Sequence, residues 1–261
     1  MDNGVKLSMR ENGILVLLAC LLCGCSSNAT LEHVESDSAK MYEEYRKVLH
    51  DLHEKGELWG RGKVSLDDDF GNIEENQFAI YDIDHDGRDE LILIYETNAV
   101  ADSIEIVYDY SFEKGEIQEQ YAEFPNLKFY DNGMIYAGIS HNQGVAGRFW
   151  PYQLYAYEPE TDSYVIVAFV DAWDGNFAPT NYENEDFPEA VDADGNGLIY
   201  YVEEKRVGEN EDETDYLEPA PIDDSAYEQW WDTYMDGAKE LELPFVNLTT
   251  ENIECIGVEG N

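Results

Sequence analysis

The sequence predicts an α+β fold, an antiparallel β meander with an N-terminal and a C-terminal amphipathic helix, and three observations carry that reading. Short runs rich in Ile, Val, Tyr and Phe follow one another from residue 77 to about residue 170. Turn signals separate them. The clearest is Asp131-Asn132-Gly133, whose Asn and Gly tolerate the positive φ angles of a type I′ hairpin and so join antiparallel neighbours. Apolar residues at helical spacing frame the run, over 38–55 before it and from Ser225 after it. With 261 residues, 43% of them hydrophobic, the chain can fill a core, and nothing inside 38–252 marks a domain boundary.

Taken in order, residues 1–24 read as a signal peptide. Lys6 and Arg10 precede the apolar run Ile14 to Leu22, which is too short to span a bilayer. Residues 25–37 are small and polar and read as a flexible tether. Met41, Tyr45, Val48, Leu49 and Leu52 then recur at helical spacing behind a Ser36-Asp37-Ser38 cap region, and Gly56 closes the segment. Residues 57–76 carry little pattern. Strands are expected at 77–82, 90–96, 103–110, 116–123, 127–130, 134–139, 152–158, 164–170 and 198–203, with acidic loops at 171–194 and 207–221. The last helix starts at a capping box, Ser225 with Glu228, and presents Tyr227, Trp230, Trp231, Tyr234 and Met235 before Gly237. Residues 253–261 read as a tail.

Against 15 Lys plus Arg stand 58 Asp plus Glu, a formal net charge of -43, which repels phosphate backbones and rules against nucleic acid as a partner. Bound cations would relieve part of that self-repulsion. The signal segment ends in Leu22-Cys23-Gly24-Cys25, which resembles the lipobox of bacterial lipoproteins. The resemblance implies acylation of Cys25 and a chain lipid-anchored to the outer face of the cytoplasmic membrane. A second box at Leu17-Leu18-Ala19-Cys20 would leave an apolar region of only about six residues, shorter than such signals need. With Cys25 lipidated, Cys255 alone remains, and no intramolecular disulfide is expected.

The chemistry sits in two loops. Asp82-Ile-Asp84-His-Asp86-Gly87-Arg88-Asp89-Glu90 places carboxylates at alternate positions before a glycine, the pattern of an oxygen cage for a hard divalent cation. Asp82, Asp84 and Asp86 take positions 1, 3 and 5, the Arg88 carbonyl takes 7 and Glu90 takes 9, while Asp89 faces solvent. Leu93 stands where an EF-hand needs its bidentate Glu, and strand-like runs flank the loop. About fifteen residues here resemble the strand-loop-strand calcium loop of FG-GAP and related surface repeats, which implies calcium as the cofactor. The second loop, Asp192-Ala-Asp194-Gly-Asn196-Gly197, with Leu198 and Glu203 beyond it, satisfies the EF-hand pattern, but Pro188 and a β-branched, aromatic run flank it. It has two readings: a second calcium site of Asp192, Asp194, Asn196, Leu198 and Glu203, or an Asp-Gly-Asn-Gly hairpin turn. Calcium affinity should lie in the range of extracellular modules, about 10⁻⁴ to 10⁻³ M.

Gly-x-Ser-x-Gly, His-Glu-x-x-His and phosphate-loop motifs are missing, and no catalytic residue is assigned. His141 and Arg148 flank a glycine-rich segment that reads as a hairpin loop, and Trp230 and Trp231 read as core. The lipobox, the acidic loop, the aromatic meander and the Tyr-x-x-Trp-Trp helix together resemble acidic surface lipoproteins of Gram-positive anaerobes. The expectation is a monomeric, lipid-anchored, calcium-binding surface module that meets a glycan or a surface protein. The alternative is a cell-envelope glycan hydrolase using carboxylates of the acidic loops.

Overall fold

A computed structural model describes residues 26–64, 71–96, 103–139, 144–205 and 219–258, with side chains from residue 37 onward. The protein is α+β, mostly antiparallel sheet with three helices among the described residues. Helix α1 (Ser26–Lys55) buries Met41, Tyr45, Val48, Leu49 and Leu52, the stripe expected from spacing, and ends where Gly56 at φ 62° donates its N–H to the Leu52 carbonyl at 3.0 Å. It begins twelve residues earlier than the tether reading allowed. Neither proline nor glycine interrupts 26–38, so a helix nucleated by the buried half extends at little cost.

A short hairpin, β1 (Glu57–Leu58) with β2 (Gly62–Lys63), leads into two meanders. The first runs β3 (Gln77–Tyr81), β4 (Glu90–Tyr95), β5 (Ile104–Ser111) and β6 (Glu116–Glu123). The second runs β7 (Leu127–Phe129), β8 (Met134–Gly138), β9 (Tyr152–Glu158), β10 (Ser163–Asp174) and β11 (Leu198–Glu204). Helix α2 (Asp224–Met235), strand β12 (Val246–Asn247) and helix α3 (Thr250–Glu254) follow. Strand β12 returns to the first sheet, whose order is β12-β3-β4-β5-β6; the second is β11-β10-β9-β8-β7, and all pairs are antiparallel. Strand β10 extends four residues past the expected end because Ala172, Trp173 and Asp174 stay in register with β11.

Side-chain alternation sorts these sheets into layers. Phe78, Leu91, Leu93, Tyr95, Ile106 and Tyr108 face α1, and Leu248, Ile253 and Ile256 join them. Ala79, Ile92 and Val107 on the opposite face meet Phe129, Ile135, Ala137 and Tyr164 of the second sheet. Met134, Tyr152, Leu154, Ala168 and Val170 on the far side pack against Met235, Trp230 and Trp231 of α2. The order is therefore helix, sheet, sheet, helix. Ile253 and Ile256, expected in a tail, are core residues: α3 is only five residues, too short to show a helical period, but Thr249 caps it by accepting the Asn252 N–H. Asp223, not Ser225, caps α2, its side chain accepting from the Ala226 N–H at 2.9 Å.

Glu105 fixes the passage between sheets. It is buried on β5, and one of its oxygens accepts from the N–H groups of Asn126 at 3.1 Å and Leu127 at 3.0 Å, where the chain leaves β6 for β7. Among the described residues no helix is long and apolar enough to cross a membrane.

Candidate metal centre

The connection from β3 to β4 opens after Tyr81 and closes on Glu90, which are register partners. His85 at φ 64° and Gly87 at φ 90° bend the backbone so that its N–H groups turn inward. Asp82, Asp84 and Asp86 each bring an oxygen within 4.8 Å of the others. The decisive feature is how their oxygens are used. Asp84 Oδ1 accepts from the Asp86 N–H at 3.0 Å, Asp82 Oδ2 from Gly87 at 3.2 Å and Asp86 Oδ1 from Arg88 at 2.8 Å. Glu90 Oε2 accepts from Ile83 at 2.8 Å. Each carboxylate thus gives one oxygen to the loop backbone; Asp86 gives its other to the Arg88 guanidinium, and Asp82, Asp84 and Glu90 keep theirs. Asp82 Oδ1, Asp84 Oδ2 and Glu90 Oε1 are buried with no hydrogen-bond partner.

An unsatisfied buried acceptor is costly, and three together are what a hard cation with oxygen ligands satisfies. The electrostatics agree. Burial, then the neighbouring Asp84, pushes Glu90 up to about 10. Burial also raises Asp84 and Asp86, each helped by neighbouring carboxylates. Asp82, Asp84 and Asp86 form a group that could hold a divalent cation, and Glu90 is buried beside that group without being one of its members; a bound ion would supply positive charge to these carboxylates.

Beyond the carbonyl expected of it, Arg88 brings its side chain to the loop. Its side chain lies across the back of the loop, with Nη2 at 2.5 Å from Asp86 Oδ2, 3.5 Å from Asp162 Oδ2 and 3.6 Å from Asp109 Oδ2. Burial works against that charge, but Asp109, Asp86 and Asp162 outweigh it and raise the guanidinium above its ordinary value. Asp109 is only 1% exposed, neither of its oxygens accepts a hydrogen bond, and burial lifts it to about 6. Asp162 sits in the β9–β10 turn at φ 51°, accepting from Gln120 Nε2 at 2.8 Å and Tyr157 OH at 2.9 Å. Sequence reasoning missed Asp109, Asp162, Gln120 and Tyr157 because they lie remote from the loop in sequence and share no motif with it. Asp89 is half-buried rather than free in solvent: its carboxylate accepts from Tyr42 OH at 2.5 Å and its carbonyl from Tyr45 OH at 2.8 Å, which ties the loop to α1.

The second loop is a compact, internally hydrogen-bonded segment at the end of the long connection from β10 to β11. Asp192 accepts from the N–H groups of Asn196 at 3.1 Å and Gly197 at 2.8 Å, one on each oxygen. Both Asp194 oxygens accept from Asn196, through its backbone N–H at 3.0 Å and its amide at 2.9 Å. Asn196 Oδ1 accepts from the Leu198 N–H at 2.7 Å and from Arg148 Nη2 at 3.1 Å. Leu198 is in register with Asp174. Glu203 lies five residues further along β11, roughly 16 Å away, opposite Phe169 and 2.9 Å from Lys205. The strand that sequence chemistry favoured over an EF-hand helix is what carries Glu203 away. Cys25 and His141 lie outside the described residues.

No protein-family profile, no curated protein and no solved structure matches the chain.

Proposed function

We propose that the chain is a lipid-anchored, extracytoplasmic calcium-binding module, with the anchor at Cys25 and the ion held by Asp82, Asp84, Asp86 and Glu90. In this reading it is an antiparallel meander closed by an N-terminal and a C-terminal amphipathic helix, and it serves as a binding or structural element for a glycan or a surface protein. The observation that supports it is the set of buried, unpartnered oxygens on Asp82, Asp84 and Glu90, left over after each carboxylate has capped the loop backbone. Calcium rather than magnesium follows from the donor chemistry, because a flexible carboxylate cage suits the larger ion. The loop adjoins α1 and both sheets, so the ion would be structural.

The glycan-hydrolase alternative gains no support from the described residues. A groove of about 710 Å³ between α1 and the C-terminal segment is lined by Tyr42, Phe78, Ile80, Asp89 and Val246, and its one carboxylate is engaged by Tyr42. In a smaller groove of about 270 Å³, Asp51 pairs with Lys55 and Glu57 with Lys63. Glycoside hydrolysis needs two available carboxyl groups across a cleft.

Isothermal titration of the purified chain with calcium, and with magnesium as control, tests the reading. One calcium per chain with a dissociation constant of about 10⁻⁴ to 10⁻³ M, lost in Asp84→Ala, is the expected result. No calcium-dependent heat, or heat unchanged in the variant, refutes it. Fatty-acid labelling that Cys25→Ser abolishes is expected for the anchor; labelling retained in that variant places the lipid elsewhere.

A further inference from the structure

The loop belongs to the first sheet, but its surroundings come from both. Tyr157, Asp162 and Tyr164, all of the β9–β10 hairpin in the second sheet, converge on it. Tyr164 lies in the same apolar cluster as Ile83, at the centre of the loop, and its hydroxyl is buried with no partner. Asp162 is held by one donor from each sheet, Gln120 from β6 and Tyr157 from β9. Gln120 is there because the β5–β6 register shifts: Val107 stands opposite Tyr121 and Tyr108 opposite Glu119, which leaves Gln120 as the extra residue of a bulge.

Arg88 connects the parts, and its geometry is unbalanced. It is shared among three carboxylates and sits closest to Asp86, while wholly buried Asp109 accepts no hydrogen bond and waits at 3.6 Å. A divalent cation in the loop competes with the guanidinium for the negative charge of Asp86 and repels the guanidinium. We propose that the loop is a cross-sheet latch: a cation bound by Asp82, Asp84, Asp86 and Glu90 drives Arg88 from Asp86 onto Asp109 and Asp162, which fastens the β9–β10 hairpin of the second sheet to the first. Asp109 receives the displaced charge, and Asp162 carries the effect to the hairpin. This rests on the calcium reading above and adds to it a regulated element, the turn Glu158–Ser163.

Hydrogen exchange of the purified chain in EDTA and in millimolar calcium separates the two claims. Calcium should slow exchange in peptides covering 82–90 and also in those covering 157–164, by at least about threefold in each. Asp162→Asn should keep the first effect and lose most of the second, since Asn tolerates the left-handed backbone at this position and can still accept from Gln120 and Tyr157. Asp109→Asn, from the other sheet, should likewise lose the second effect. Slowing confined to 82–90 in the wild type overturns the latch and leaves the calcium reading standing. Slowing at 157–164 that persists in both variants also overturns it, and slowing at neither segment removes both claims.

Discussion

Glu90→Gln replaces one buried carboxylate oxygen with an NH₂ group of nearly the same shape, and its advantage over the wild type should be large in calcium-free protein and shrink in calcium-loaded protein. Without the ion, burial and then Asp84 push Glu90 up to about 10 from its ordinary 4.5. The folded chain therefore binds a proton that the unfolded chain has released, and stability falls as pH rises from about 4.5 toward 10. At a working pH of about 7.5 the gap is about three pH units at about 1.4 kcal/mol each, so Glu90 costs about 4 kcal/mol. Glutamine avoids that cost and keeps an oxygen to accept the Ile83 N–H, so in EDTA the variant should be more stable than wild type by up to about 4 kcal/mol. Calcium at 100 times its dissociation constant, about 10 mM for an affinity of about 10⁻⁴ M, should add about 2.7 kcal/mol to the wild type and almost nothing to the variant. Urea unfolding followed by Trp and Tyr fluorescence, in EDTA and in calcium, reads both effects. A variant less stable than wild type in EDTA refutes the burial argument; a variant that gains as much from calcium as wild type removes Glu90 from the site.

Glu105→Gln tests a second buried carboxylate far from the loop. Burial raises Glu105 to about 7, against the two N–H groups that lower it, so stability is lost as pH rises from about 4.5 through 7. The variant should melt above wild type at pH 8, by up to about 3 kcal/mol, and match it at pH 4.5; equal melting at both values refutes the claim. Gly87→Ala should cost about 1–2 kcal/mol with or without calcium, because φ is 90° and nothing lies within 4 Å of an added Cβ, so the penalty is purely conformational. Ile253→Ala should cost about 2–5 kcal/mol in denaturant unfolding, since Ile253 is fully buried against α1, whereas a loose tail would lose under about 0.5 kcal/mol.

Strands β3 to β9 were legible in the sequence because each is a short run of β-branched and aromatic residues bounded by turn signals, continuous in β4, which is buried on both faces. The helical stripes of α1 and α2 were legible from their apolar spacing. Two-residue β12 and five-residue α3 were not, since elements shorter than a period or two leave no pattern, and only packing reveals Leu248, Ile253 and Ile256 as core. The loop ligands could be read because they lie within nine residues. Their surroundings could not, because Asp109 and Asp162 reach Arg88 through strand register and the stacking of the two sheets. At the second loop the EF-hand spacing does not become spacing in space, because β11 carries Glu203 along the sheet, as its β-branched and aromatic run led one to expect.

The two meanders leave four sheet edges. Two are almost absent, since β12 is two residues long and β7 three. The other two are long and acidic: β6 carries Glu116, Glu119 and Glu123, and β11 ends in Glu203 and Glu204, with Ile222 already bridging Tyr200. An edge so short or so charged offers a neighbouring strand little to pair with. Copies crowded together would therefore meet edge to edge as like charges and stay individually dispersed.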